Sequence, residues 1–378
     1  MSLFVPIFFA VYSLLHYYAY RKLSSVFGLP LWGRLLLIVL FTFTTLSPAV
    51  WRLLDRRGLN ELAQPLAFVG LMWMGFLFYF FLVGIVIDLY RRFHSPTPKR
   101  AFFITLVVSI VLSAYSHAET HFLQVERFTL RTPKLPEGTK LKILHISDLH
   151  LGPVMREDKA QLVLEVYERE KPHIVVATGD MVDGNMKGSE HLADMLAKMK
   201  PPLGKFAVVG NHEFYVGLEQ SVAFLERAGF RVLRGESTAV GGLLNIAGVD
   251  DPDGERFGYR VFTDELKALK GADQRRFTIL IKHRPTVDRE ALDKVDLVLA
   301  GHTHGGVLFF VGYTVLRLPF ETDRGVKELE AGKFMVVSKG VGTGGPPMRL
   351  LSPPDVFVVE LVGTKALSQQ ASPLTSRP

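Results

Sequence analysis

The residues most able to do chemistry in this chain are two histidines, His302 and His304, set between glycines in the stretch VLAGHTHGGV (298–307). In an extended backbone residues i and i+2 point to one side. Both imidazoles would then leave a strand end together, and the flanking glycines leave room for an approaching group. A metal ion would use that geometry, but H-x-H also occurs on exposed strands, so more ligands are required. Other strand ends supply them. HISDLHLG carries Asp148 and His150, again two apart; ATGDMVDG carries Asp180; VVGNHEFY carries Asn211 and His212; IKHRP carries His283.

Each of these has an ordinary reading on its own. An Asp at a strand–helix junction is an N-cap, an Asn is a turn residue, and a His before Arg-Pro merely ends a strand. Five strand ends that all carry ligand-type side chains, with glycine close by, are poorly explained by chance. Carboxylate, amide and imidazole donors without sulfur suit Mn, Fe, Zn or Ni, and the imidazole content argues against calcium. The chain has no cysteine, which excludes thiolate ligands and disulfides and leaves the compartment open.

The elements that must position these residues begin near Val125. Short β-branched runs at 141–147, 173–178, 205–210, 243–249, 276–283, 296–301, 333–340 and 355–361 read as strands. Amphipathic segments such as REDKAQLVLEVYERE, SEHLADMLAKMK and LEQSVAFLERAG read as helices between the early ones. The alternation predicts an α/β layered domain over 125–363, with the ligands at C-terminal strand edges, where such sheets build their sites. VERFTLRTPKLPEG (125–138) reads as an edge strand and a Pro-rich turn, and the small, polar residues 364–378 as a disordered tail.

The order D-x-H, G-D-x-x-D, G-N-H-[DE], H and G-H-x-H resembles the calcineurin-like metallophosphoesterases over about residues 125–362. That resemblance implies a four-layer α/β/β/α sandwich with a two-metal centre. By it, Asp148, His150, Asp180 and His304 hold one ion, and Asp180 bridges to a second that Asn211, His283 and His302 complete. A metal-bridging hydroxide attacks phosphorus, and His212 is the general acid. Asp183 belongs to the same motif, with a helix-capping or supporting role expected. GHTHGG and GVGTGGPPMRLLSPPD (340–355) further resemble a bacterial branch that is often membrane-attached, some of whose members are similar to hydrolases that cleave a UDP-linked acylated sugar. Val307 stands where Gln is common in that branch, and Lys282 where a small polar residue often precedes the histidine. Asp250, Asp251 and Asp253 look ligand-like and are read as a solvated acidic turn.

The composition is split between two regions. The chain has 378 residues, 48% hydrophobic, with a net charge of +7. Residues 1–116 hold ten Lys/Arg against Asp55, Glu61 and Asp88, which accounts for the whole +7; the other 262 balance 34 basic against 34 acidic side chains. The basicity therefore belongs to loops between apolar stretches at 3–20, 35–50, 65–89 and 101–116, and a nucleic-acid partner is not expected. Four all-α transmembrane spans over 1–116 are expected, with a short tether at 117–124. The Lys/Arg bias places the first and third loops in the cytoplasm of an inner-membrane, multi-pass protein and the catalytic domain outside it. A removable signal peptide is not expected, since the N-terminus has no charged n-region. The lipid bilayer and a phosphate ester, possibly lipid-linked, are the expected partners.

The leading functional reading is a membrane-embedded phosphoesterase acting on a phosphodiester or pyrophosphate. Alternatives are a phosphomonoesterase, a UDP-acylglucosamine pyrophosphate hydrolase, a nuclease, or a catalytically silent metal-binding scaffold. The expected guides for a lipid-attached phosphate are His117, His121 and the PPMRLL loop (346–351), with Arg349, Met348 and Leu350 in substrate contact.

Overall fold

The computed structural model describes residues 4–94, 96–305 and 320–365. Four helices come first: α1 (Phe4–Phe27), α2 (Leu31–Arg56), α3 (Asn60–Tyr90) and α4 (Pro98–Glu119). Among the described residues, three of them, α2, α3 and α4, are long and apolar enough to cross a membrane. This differs from the expected four. The first helix packs in the same bundle, but Tyr12, His16, Tyr18 and Lys22 dilute its hydropathy. The bundle closes on small and hydroxyl residues, as helices do where lipid gives no hydrophobic drive to associate. Along α4, Thr105, Ser109 and Ser113 are buried and donate to the carbonyls four residues back at 2.7–2.9 Å.

The catalytic region follows as β1 (Gln124–Thr132), β2 (Lys140–Ile146), α5 (Glu157–Glu170), β3 (Ile174–Ala177), α6 (Glu190–Leu196), β4 (Lys205–Ala207), α7 (Asn211–Val216), α8 (Leu218–Arg227), β5 (Arg231–Val232), β6 (Glu236–Val240), β7 (Leu244–Gly248), α9 (Glu265–Ala268), β8 (Phe277–Ile281), α10 (Arg289–Leu292), β9 (Leu297–Ala300), β10 (Gly325–Glu330), β11 (Lys333–Val337) and β12 (Asp355–Gly363). One sheet has the order β1-β12-β2-β3-β4-β5 and the other β10-β11-β9-β8-β7-β6. Strands β2, β3 and β4 are parallel, as are β7, β8 and β9. Their C-terminal ends therefore lie along common edges.

The strands are apolar on both faces because both faces are covered. In β8 and β9, Ile279, Ile281, Leu297 and Leu299 meet Ile143, Val176 and Val359 of the other sheet. The alternate residues Leu280, Val298 and Ala300 pack outward with Leu269, Ala291 and Val295. On the far side Leu144, Ile146 and Val175 pack against Val163, Leu192 and Leu225. The result is helix, sheet, sheet, helix.

The two regions are docked. Helix α4 runs through Glu119 and β1 starts at Gln124, so the expected tether of 117–124 shrinks to four residues. The Asp55 carboxylate of α2 accepts from the Asn185 N–H at 2.9 Å, and Asn60 donates to the Lys187 carbonyl at 3.0 Å. At the end of α4, the Ser116 carbonyl accepts from Arg349 N–H at 2.8 Å, and buried Lys159 donates to the Thr120 carbonyl at 2.6 Å. The α2–α3 turn and the end of α4 thus share the side of the bundle that faces the α/β region.

Candidate metal centre

The loops after five parallel strands are tied to one another before any ion is considered. Asp148 N–H donates to the Gly179 carbonyl at 3.0 Å, His150 N–H to Asp180 at 2.9 Å, and Gly301 N–H to His283 at 2.9 Å. Glycine lets these loops approach. Gly179 has φ +91°, and a Cβ there would sit 2.6 Å from the Gly210 nitrogen.

Five of the expected ligands occupy the left-handed region that non-glycine residues avoid: Asp148 (φ 50°), His150 (50°), Asp180 (52°), His302 (74°) and His304 (53°). Such strain persists only where the surroundings enforce it, and it clusters at functional sites. It also corrects the strand-end picture. His302 and His304 do not leave an extended strand together; the left-handed turn separates them into two groups. His304 joins Asp148 and His150, and His302 joins Asp180 and His283, with the ligand atoms of each group within 4.8 Å of one another.

In the first group His304 Nε2 lies 3.4 Å from Asp148 Oδ1 and 3.1 Å from His150 Nε2. In the second, His283 Nε2 is 3.2 Å from Asp180 Oδ2 and 3.1 Å from Asn211 Oδ1, and His302 Nδ1 is 2.9 Å from His283 Nε2. His283 Nδ1 is 2.9 Å from the Thr178 carbonyl, so it donates there and Nε2 is the atom aimed at the site.

The residues fit a cation. Burial pushes the His150 imidazole down to about 4, with the charge of His212 adding to it, and burial with neighbouring positive groups holds His302 and His304 well below the usual histidine range. In the first group two imidazoles with lowered pKa values, His150 and His304, bring their Nε2 atoms within 3.1 Å of each other. Asp148 Oδ1, beside the same atoms, is buried without a hydrogen-bond partner. Orphaned buried polar atoms are rare, and this one has the chemistry of a metal ligand.

His212 lies in the first turn of α7, with Nε2 3.9 Å from Asp180 Oδ2 and Nδ1 2.6 Å from Asp183 Oδ1. Burial would lower its pKa, but Asp180 and Asp183 outweigh that and push it up to about 9. The carboxylates of Asp180 and Asp148 likewise outweigh burial at His283 and push it up to about 10, so these two imidazoles carry the raised values of the site. Asp183 belongs to neither metal group; it holds His212, in line with a supporting role.

Sequence reasoning missed Glu213. Fully buried, it accepts from the N–H groups of Asp180, Met181 and Gly210 at 2.7–2.8 Å, tying two ligand loops together. Burial and the charge of Asp180 push its carboxyl up to about 7 against those donors. Its position next to His212 in the G-N-H-[DE] motif was the available signal.

Three other expectations differ from the structure. Arg349 is fully buried, its guanidinium donating to the carbonyls of Ser352 (3.1 Å), Lys339 (2.8 Å), Gly340 (3.0 Å) and Gly342 (2.6 Å), with Nη2 3.3 Å from His304 Nδ1. Those carbonyls and His304 occupy the fork, while Met348 is buried against Gly75 of α3 and Leu350 is half-buried. The aspartates 250, 251 and 253 are buried rather than solvated. Arg234 holds Asp250, and Arg284 holds Asp251 and Asp253, at 2.7–2.9 Å. Lys282 turns away to Glu265, and Val307 lies outside the described residues.

Comparison with known proteins agrees with this geometry. Residues 141–306 match the family model for the calcineurin-like phosphoesterase. An uncharacterized metallophosphoesterase of Aquifex aeolicus is 66% identical over 258 residues, covering 68% of this chain and 99% of that protein. One from Helicobacter pylori is 27% identical over 369 residues, 94% of this chain and 97% of that protein; an alignment of that length includes the helical bundle. A zebrafish (Danio rerio) transmembrane protein with metallophosphoesterase domain is 29% identical over 274 residues, 68% of this chain and 62% of that protein.

Proposed function

The chain belongs to the calcineurin-like metallophosphoesterase family and is a metal-dependent phosphoric ester hydrolase in a membrane; from that premise we propose that it hydrolyses a phosphodiester or pyrophosphate bond of a lipid-linked substrate. Two divalent ions belong in the two donor groups. Asp148, His150, Asp180 and His304 would hold one, and Asp180, Asn211, His283 and His302 the other. When bound, the ions supply Lewis acidity toward the phosphoryl oxygens. The chain's own residues do the rest. Asp183 fixes His212 through Nδ1, so the Nε2 proton is the one presented to the departing ester oxygen. Glu213 keeps the Asp180 and Gly210 loops in register, and Arg349 braces His304 from behind.

The observation that carries this reading is the convergence on Asp180 Oδ2, with nitrogens of His283, His150 and His212 at 3.2, 3.9 and 3.9 Å. One carboxylate oxygen between imidazoles from three other loops has the position of a shared ligand. Asp180→Asn should abolish turnover and reduce bound metal. Two metals per chain with near-normal activity would reject the bridging role.

A lipid-linked substrate is supported by the docking of α2 onto the 183–187 loop, which brings the end of a membrane helix beside the residue that orients His212. Seven Lys/Arg lie at the bundle end away from the catalytic region (Arg21, Lys22, Arg34, Arg91, Arg92, Lys99, Arg100). The positive-inside rule then puts that end in the cytoplasm and the metal centre outside, on the inner membrane of a bacterial cell.

A further inference from the structure

Helix α2 carries two arginines near its C-terminal end, Arg52 and Arg56, and among the described residues neither makes a close ion pair with a carboxylate, although both act electrostatically on Asp55. The Arg52 guanidinium lies 4.8 Å over the Trp51 ring, and among the described residues the Arg56 side chain makes no hydrogen bond or close ion pair. Both border a cavity of about 390 Å³ whose opposite wall comes from the catalytic region: Tyr215, Gln220 and Tyr259, with Gly184 and Asn185 at its floor. Among the described residues Asp55 is the one acid lining it; its carboxylate accepts from the Asn185 N–H, and it is a single acid set against the two arginines.

This cavity adjoins the metal centre. Its floor directly follows Asp183, and the Tyr215 ring packs 5.0 Å from the His212 ring. Burial would raise the Asp183 carboxyl; His212 chiefly, then His150 and after it Arg52, hold it low. Arg52 is therefore within electrostatic reach of the catalytic pair. Two guanidiniums facing a polar cavity, with their forked donors unused, are suited to a phosphate. The end of a membrane helix is also where the headgroup of a bilayer-anchored molecule would lie.

We infer that this cavity is an anion subsite in which Arg52 and Arg56 hold the second phosphate of a pyrophosphate diester while the scissile phosphate lies between Asp180 and His212. The inference rests on the phosphoesterase reading above and narrows its substrate class. The membrane region then does more than anchor the enzyme, because it supplies part of the substrate site.

The test uses full-length protein in nanodiscs and three probes. Bis(p-nitrophenyl) phosphate has one phosphate, CDP-glycerol is a soluble pyrophosphate diester, and CDP-dioctanoylglycerol is its lipid counterpart. The two diesters are read as inhibitors of bis(p-nitrophenyl) phosphate turnover, so their own hydrolysis is not needed. In Arg52→Gln/Arg56→Gln the inhibition constants should rise at least tenfold more than the KM of the monophosphate probe. Arg57→Gln, one residue beyond the cavity lining, should match wild type. A rise for both diesters identifies a pyrophosphate subsite open to soluble ligands; a rise for the lipid diester alone identifies a headgroup site. Unchanged constants, or equal losses on all three probes, would overturn the subsite. Should wild type fail to turn over bis(p-nitrophenyl) phosphate with its metals loaded, the function reading fails, and calorimetric titration of the same proteins with CDP-glycerol reads the subsite by itself.

Discussion

Replacing Asp183 with Asn separates the residue that orients the proton donor from the residues that hold metal. The Asp183–His212 contact is 2.6 Å, with the two side chains only 19% and 14% exposed. A charge-assisted hydrogen bond so shielded is worth about 1.5–3 kcal/mol. At about 1.4 kcal/mol per pKa unit, losing the carboxylate charge should lower the His212 pKa by about one to two units from its raised value near 9. Catalysis needs the protonated form, present below that pKa and lost as pH rises through it. The alkaline limb of the kcat profile should therefore move to lower pH in the variant. Bound cations lower the starting value in both proteins, so the displacement between the two profiles is the quantity to read. Loosening the ring should also reduce kcat on the plateau by about 10- to 100-fold, the same free energy expressed as rate. The assay is a pH–rate profile on the full-length protein with metal content measured in parallel. An unmoved alkaline limb, or a loss of about one metal per chain, would refute the orienting role.

Two further outcomes are expected. Arg349→Met removes the donors from four main-chain carbonyls and should destabilise the fold by about 3–5 kcal/mol, seen as a thermal midpoint several degrees lower; an unchanged midpoint with a raised KM would return Arg349 to substrate contact. A reporter fused after Pro378 should be active only outside the cytoplasm, and activity confined to the cytoplasm would reverse the orientation.

The sequence by itself pointed to the candidate donors. Asp148, His150, Asp180, Asn211, His283, His302 and His304 were legible because strand periodicity and β-branched runs are local signals, and the ligands fall at the ends of those runs with glycine nearby. The α/β layered class followed from the same alternation, and the four-layer arrangement was what the family resemblance implied. The membrane region was legible from apolar length and the location of charge. The number of spans was less so, since α1 mixes tyrosine, histidine and lysine into an otherwise apolar helix.

Only the tertiary structure decided how the donors are shared. His150 and His304 are 154 positions apart, and His302 and His283 are 19 apart. Which imidazole meets which depends on the order of strands in two sheets and on left-handed turns that the neighbouring loops enforce. The family pattern gave the assignment by analogy; in the folded chain it results from packing. The same holds for charge. A local reading of Asp250, Asp251 and Asp253 sees an acidic turn, because Arg234 and Arg284 that neutralise them come from other loops. A local reading of Arg349 sees a free cation, because the carbonyls that bury it belong to a turn folded back over His304. Burial and partnership are properties of juxtaposition, and a one-dimensional pattern carries them only where the partners are near in sequence.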